Sequence, residues 1–244
     1  ECVIVIAWTH RHTEKNQFIV GAYRQFKIPK QLMYQIIKKG TPLLLNETLW
    51  AGGQAVLMQC YSRRGIEIVA AFNISNTVAN LFNVAFIALG SAIAIVVGQM
   101  LGAGRLEEAV DADRKMIAFS VFCCMVIGGV MFVIAPLFPQ IYNTSGLVRG
   151  RAADFIRVAS LCMPLYGFMH ATYFTLRSGG KTIITFLFDS VYIWVVNIPL
   201  AYLLTTYAPL DILLIYLIVQ LVEIIKCVIG YILVKKRGWV NNMG

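Results

Sequence analysis

The chain has 244 residues, 59% of them hydrophobic and only 14% charged, with a mean hydropathy of +0.72. That leaves too little polar surface to cover a soluble globular core, so it reads as an all-α, polytopic membrane protein. The net charge of +9 gathers between the apolar runs, where a membrane surface accounts for it and no nucleic-acid partner is called for. The six cysteines lie mostly inside apolar runs without a CxxC spacing, which marks them as packing residues and not a metal site or disulfide frame.

Residues 1–9 are apolar but too short to span a bilayer and read as the end of a truncated upstream transmembrane helix. Residues 10–40 form a basic cytoplasmic linker carrying Arg11, Lys15, Arg24, Lys27, Lys30, Lys38 and Lys39. Within the linker, Pro29 is placed to open an amphipathic helix that lays Leu32, Met33, Ile36 and Ile37 on the membrane surface.

Residues 41–235 follow as a six-helix transmembrane lobe, with spans at 41–61, 66–101, 116–139, 155–176, 183–206 and 212–234, and residues 236–244 form a cytoplasmic tail. An even number of spans returns both ends to one side. That side holds 15 of the 21 Lys and Arg and the other only 5, so both ends are expected in the cytoplasm.

The second span is the longest. Its apolar run, Ile66 to Leu101, would make a helix of roughly 54 Å against a hydrocarbon core of roughly 30 Å. A single long helix projecting past the bilayer fits it, with Gly90, Gly98, Gly102 and Gly104 as the places for a bend and an end. Asn73, Asn76, Asn80 and Asn83 fall within an arc of about 80° on this helix, a polar stripe that must face other helices as interhelical glue or line a wet cavity. The following segment, RLEEAVDADRK, mixes charge signs and reads as a short solvated helix.

Five ionisable residues fall inside the expected spans: Glu47, His170, Asp189, Glu223 and Lys226. A charge at span centre costs about 2.5–3.5 kcal/mol, so each needs a partner, a wet cavity or a neutralising proton. Counting rise per residue puts Glu47, His170 and Asp189 at a similar depth, roughly 9 Å in from the cytoplasmic side, where they could meet in one cavity as cation-coupling groups. Gln54 shares the Glu47 face. Glu223 and Lys226, three apart, can neutralise each other on the last span. Trp50, Trp194, Tyr192 and Phe72 are placed either for packing or for stacking on flat lipophilic cations.

The strings GTPLLLNETLW, VGQMLGAGR, LRSGGKT and DSVYIWVVNIPLAYLL, in this order and spacing, resemble the carboxy-terminal half of bacterial multidrug and toxic compound extrusion transporters. The resemblance implies two six-helix bundles about a pseudo-twofold axis, this chain being the second and lacking its amino-terminal partner lobe. It implies a secondary antiporter of the cell membrane, a bacterial plasma membrane, exporting cationic or amphiphilic small molecules in exchange for Na⁺ or H⁺. No other cofactor, no nucleic acid and no enzymatic step are implied.

In the sodium-coupled branch a glutamate stands where Glu47 does, making it the candidate Na⁺ ligand. That branch also has an acid on its fourth helix, where this chain offers Tyr166, His170, Thr172 and Tyr173. Asn73, Asn76, Asn80, Asn83, Gln54, Tyr166 and Trp194 are the expected substrate-cavity residues. The alternative within the superfamily, a flippase for lipid-linked precursors or polysaccharides, calls for a basic cleft, whereas the spans here carry carboxylates and one lysine.

Overall fold

The computed structural model describes residues 2–16, 19, 29–180 and 182–240. Arg24, Lys27 and Lys181 of the expected basic segments, and the tail beyond Val240, lie outside the described residues. Every regular element among the described residues is helical, as a chain that must satisfy its backbone without water requires. The chain divides into two compact units, Glu1–Leu45 and Asn46–Gly244.

The first unit contains α1 (Cys2–Arg11), which buries none of its residues and stacks Trp8 on His12 at 4.7 Å. The amphipathic helix expected from Pro29 begins at Lys30 and does not stop before the first span. It continues unbroken to Ser62 as α2 (Lys30–Ser62), and the division between the units falls inside it.

The second unit is built from α3 (Ile66–Gly102), α4 (Leu106–Ile134), α5 (Gly146–Ser178), α6 (Thr182–Phe186), α7 (Ile198–Tyr207), α8 (Ile212–Val222) and α9 (Ile224–Lys235). Between α6 and α7 the helix runs as two π-helical stretches, Leu187–Val191 and Ile193–Asn197. Four helical runs, Ile66–Gly102, Leu106–Ile134, Leu187–Tyr207 and Ile212–Lys235, are long and apolar enough to cross a membrane. α2 and α5, each 33 residues, match them in length but carry more polar residues.

As its apolar run predicts, α3 is one helix of 37 residues. It ends where Gly104 takes φ +73°, so that the Arg105 N–H reaches the Met100 carbonyl (3.0 Å) and the Gly104 N–H that of Leu101 (3.1 Å). On α4, Phe119, Phe122, Val126, Val130 and Val133 recur at helical spacing and are exposed, an apolar face suited to lipid. The segment read as a short solvated helix is instead the first turns of α4. One side of it is buried, with Ala109 and Asp113 at 0% and 1% exposure, because it packs against the end of the lobe that holds Val97, Leu101 and Leu176.

α5 is the central strut. Its N-terminus is capped by Ser145, whose hydroxyl accepts from the Val148 N–H. Along its length it packs on α3, α4, α8 and α9. The α4 crossing depends on two glycines. A Cβ on Gly128 would stand 2.6 Å from the Ser160 carbonyl oxygen, and one on Gly167 would stand 2.6 Å from the Cys124 sulfur. Small residues at such crossings let helix backbones approach where lipid supplies no hydrophobic drive. At one end of the lobe, Tyr61, Phe72, Phe155 and Tyr216 pack as an aromatic cluster with ring centroids 5.2–6.0 Å apart. At the other, Trp239, 1% exposed, fills a pocket among Val97, Leu101, Ala109 and Leu176, and its tail is tied to α4 by an Arg237–Glu107 ion pair (2.9 Å).

Gly128→Ala is expected to lower stability by about 1–3 kcal/mol, because the obstructing atom is backbone, while Gly129→Ala, with open space around it, is not. Thermal unfolding of the two variants in detergent separates them. A second test uses Asp211, which caps α8 and pairs with Arg151 (2.9 Å); the Arg151 hydrogen bond first, and the Leu213 N–H second, hold its carboxyl below the usual range. Its contribution is therefore present above about pH 4 and lost as pH falls through the lower folded-state pKa. Asp211→Asn should depress the melting temperature at pH 7 and progressively less on acidification.

Candidate functional site

Two buried polar clusters and one exposed polar set stand out in the second unit. The first cluster joins α2 to the π-helical stretch. Asn46 is buried, and the Ser190 hydroxyl donates to both its backbone carbonyl (2.9 Å) and its side-chain oxygen (2.8 Å). The Asp189 carboxylate accepts hydrogen bonds from the Tyr173 and Asn46 side chains and lies within the field of Glu47. The chains approach closely here because α2 carries Gly52 and Gly53: a Cβ on Gly53 would stand 2.7 Å from Ile193 Cγ2. Trp194 lies along the same groove, its indole N–H donating to the Leu49 carbonyl (2.9 Å), with 41% of its surface exposed.

The second cluster lies between the π-helical stretch and the last span. That span is broken at Glu223, which separates α8 from α9. Glu223 and Lys226 are 6% and 8% exposed and form an ion pair. The other Glu223 oxygen accepts from Asn197 Nδ2 at 2.6 Å. Lys226 Nζ sits 4.8 Å from the centre of the Tyr192 ring, and the Tyr192 hydroxyl donates to the Val222 carbonyl (2.7 Å), a group the helix break would otherwise strand. The charge of Lys226 also reaches Asp189 and His170. An unpaired charge in such a place costs several kcal/mol, so the pair is held together strongly.

The other sequence-derived candidates divide by burial. Glu47, Gln54, Asn73 and Asn80 are exposed on α2 and α3, and Asn76 and Asn83 are half-buried. His170 does not join Glu47 in one described group. Its ring lies 4.3 Å from that of Phe86, and its Nδ1 contacts the Tyr166 carbonyl (3.1 Å) on its own helix. Tyr166 packs against the core formed by Val78, Phe86 and Cys124. Phe72 and Tyr192 serve in packing and in the Lys226 contact, while Trp50 is exposed.

Sequence reasoning passed over Asn46, Ser190 and Asn197, each adjacent to or near a flagged charge. An uncharged polar residue beside an acid inside an apolar run was the available signal. It also passed over Asp113, whose carboxylate accepts from the Thr175 hydroxyl at 2.5 Å. Among the described residues, no group of three or more His, Cys, Asp or Glu is arranged to hold a metal ion.

Asn46→Ala should remove a donor from Asp189 and a partner from Ser190, at about 1–3 kcal/mol. Chemical unfolding in detergent, read by tryptophan fluorescence, measures it.

A family model described as MatE matches residues 42–203. Over 215 residues the chain is 21% identical to the probable multidrug resistance protein YoeA of Bacillus subtilis (strain 168), covering 86% of this chain and 46% of that protein. It is 23% identical over 208 residues to the probable multidrug resistance protein NorM of Halalkalibacterium halodurans, covering 78% and 43%. Among solved structures, an outward-facing multidrug resistance MATE family transporter of the MOP superfamily shares the fold, with a TM-score of 0.74 at 16% identity over 88% of this chain and 48% of its own. The chain thus spans about half the length of the relatives it matches. With its apolar spans and this match over most of the lobe, the chain is a multi-pass membrane protein and belongs to the MatE family, whose members are transporters and not enzymes.

Proposed function

We propose that this chain is one lobe of a two-lobe antiporter of the cell membrane, both of its ends cytoplasmic, which exports cationic or amphiphilic small molecules in exchange for Na⁺ or H⁺. The observation that carries this reading is the exposure of Glu47, Gln54, Asn73 and Asn80 on a lobe whose surface is otherwise largely apolar. A carboxylate facing hydrocarbon costs about 2.5–3.5 kcal/mol, a cost that disappears if these groups line a water-filled cleft closed by a second lobe. Glu47 then supplies the negative charge for which substrate and coupling ion compete, and the asparagine stripe offers hydrogen bonds to varied substrates. Trp194 and Trp50, both exposed, provide flat apolar surfaces for lipophilic cations. The names of the relatives, all multidrug resistance proteins, agree with this substrate class.

Efflux of a fluorescent organic cation from liposomes holding the two-lobe protein, under an imposed Na⁺ or pH gradient, tests the reading. Wild type should transport under one of them, and Glu47→Gln should slow transport tenfold or more. Transport by neither gradient would overturn the antiporter reading and favour the flippase of lipid-linked precursors.

A further inference from the structure

The Glu223–Lys226 pair goes beyond what neutral packing requires. Two buried charges cost more to desolvate than well-packed apolar residues would, yet here they sit in the middle of the last span, at a helix break and against two π-helical stretches. Wide turns of this kind concentrate at functional sites.

Three features of the geometry restrict what the pair can bind. Both Glu223 oxygens face donors, the Asn197 Nδ2 on one and the Lys226 ammonium on the other, and the ammonium opposes a metal cation at the same carboxylate. A proton needs only one lone pair. Next, the Asn197 amide oxygen is buried and without a hydrogen-bond partner, although its own nitrogen bonds Glu223. An amide rotated by a half-turn presents its oxygen instead of its nitrogen, so Asn197 can donate to a Glu223 carboxylate and accept from a Glu223 carboxylic acid. Finally, Lys226 lies within electrostatic reach of a second carboxylate, Asp189, itself hydrogen-bonded to Asn46 and Tyr173. Asp189, Glu223 and Lys226 together carry a net charge of −1, one proton short of neutrality.

We propose that Glu223 and Lys226 form the proton-coupling site of this lobe, where a proton taken up by Glu223 breaks the ion pair and hands the Lys226 ammonium over to Asp189. This inference rests on the antiporter reading and names its coupling ion as H⁺. The proton comes from the aqueous side, binds the Glu223 oxygen that Lys226 leaves, and returns to water on the other side when Glu223 re-forms the pair. No other bond changes.

Tyr192 carries the shift into the backbone, since its ring holds Lys226 and its hydroxyl holds the Val222 carbonyl at the break between α8 and α9. The titratable groups within electrostatic reach of Glu223 are Tyr61 of α2, Tyr166 of α5, Tyr192, and Lys226 and Cys227 of α9. Those bearing on Lys226 are Glu223, Asp189, His170 and Tyr192. Among the described residues, Glu223 is the one acid paired with the ammonium.

The two-lobe protein in liposomes, with fluorescent-cation efflux measured between pH 6 and pH 9, supplies the test. Wild type is expected to respond to a pH gradient and to be indifferent to Na⁺. Glu223→Gln, a fixed mimic of the protonated acid, should reduce pH-driven efflux about tenfold or more and flatten its pH profile, while binding of the cation in detergent changes little. Asn197→Ala leaves the ion pair in place but removes a donor to the Glu223 carboxylate, and should move the profile alkaline by about one pH unit, a tenfold change in proton affinity. It serves if Glu223→Gln fails to fold.

Efflux driven by Na⁺ alone overturns the proposal and leaves the antiporter reading standing. So does pH-driven efflux whose profile is unchanged in both variants. Efflux under neither gradient overturns both.

Discussion

No water reaches the hydrocarbon interior of a bilayer, and a polar group placed there must find its partner within the protein. Much of the lobe's local structure answers that demand. The backbone is helical throughout the described spans, and where the helix departs from regularity a side chain supplies the missing bond: Tyr192 at the Val222 carbonyl, Ser145 at the start of α5. Arg64 does the same at the far end of α7, donating to the Leu204 and Ala208 carbonyls at 3.1 and 2.6 Å, where the helix dipole favours its positive charge. Interior acids are bonded in the same way, Asp113 to Thr175, Asp189 to Asn46 and Tyr173, Glu223 to Asn197 and Lys226. Glu47, Gln54, Asn73 and Asn80 are instead set at the surface of the unit.

That contrast gives the lobe its division of labour. The buried clusters tie three spans together around α5 and the π-helical stretches, and the exposed set faces outward. Asp189 links the two, because it bonds Asn46 on the helix turn that carries Glu47 and also feels Lys226 in the interior. A change of charge on either side therefore alters the forces on the other through a single carboxylate. Such a linkage is what an exchange mechanism needs, since an ion can shift an equilibrium between two states only by as much as it binds them differently.

Much of the fold was legible in the sequence, and the reason is the same hydrophobic constraint. Apolar runs bounded by charges place α3 and the last span to within a residue at each end, whereas α4 begins ten residues before its expected span, and Gly104 ends α3 because only glycine adopts its positive φ cheaply. The π-helical turns at Leu187–Asn197 and the break at Glu223 left no such mark. A wide turn adds a residue to the helix without changing its composition, and Glu223 is a residue that helices otherwise accept. At the site, the charged residues were visible by their cost in an apolar run, while Asn46, Ser190 and Asn197 were not, since an amide or hydroxyl is cheap enough to pass as packing. Asp113 escaped for the opposite reason: among Glu107, Glu108, Asp111 and Arg114 it looked like one more solvated charge, and only the tertiary packing buries it.

Trp239 bears on the order in which the molecule can be made. It follows every span in the chain, yet it fills the pocket lined by Val97, Leu101, Ala109 and Leu176, and Gly179 has no side chain where its backbone passes. During synthesis α3, α4 and α5 enter the membrane before this indole has been translated, so the pocket at that end of the lobe waits unfilled until α9 is in place. Closure of that end is then a late step in biogenesis, and a nascent chain stalled before Trp239 would present an open apolar socket to the quality-control machinery at the membrane surface.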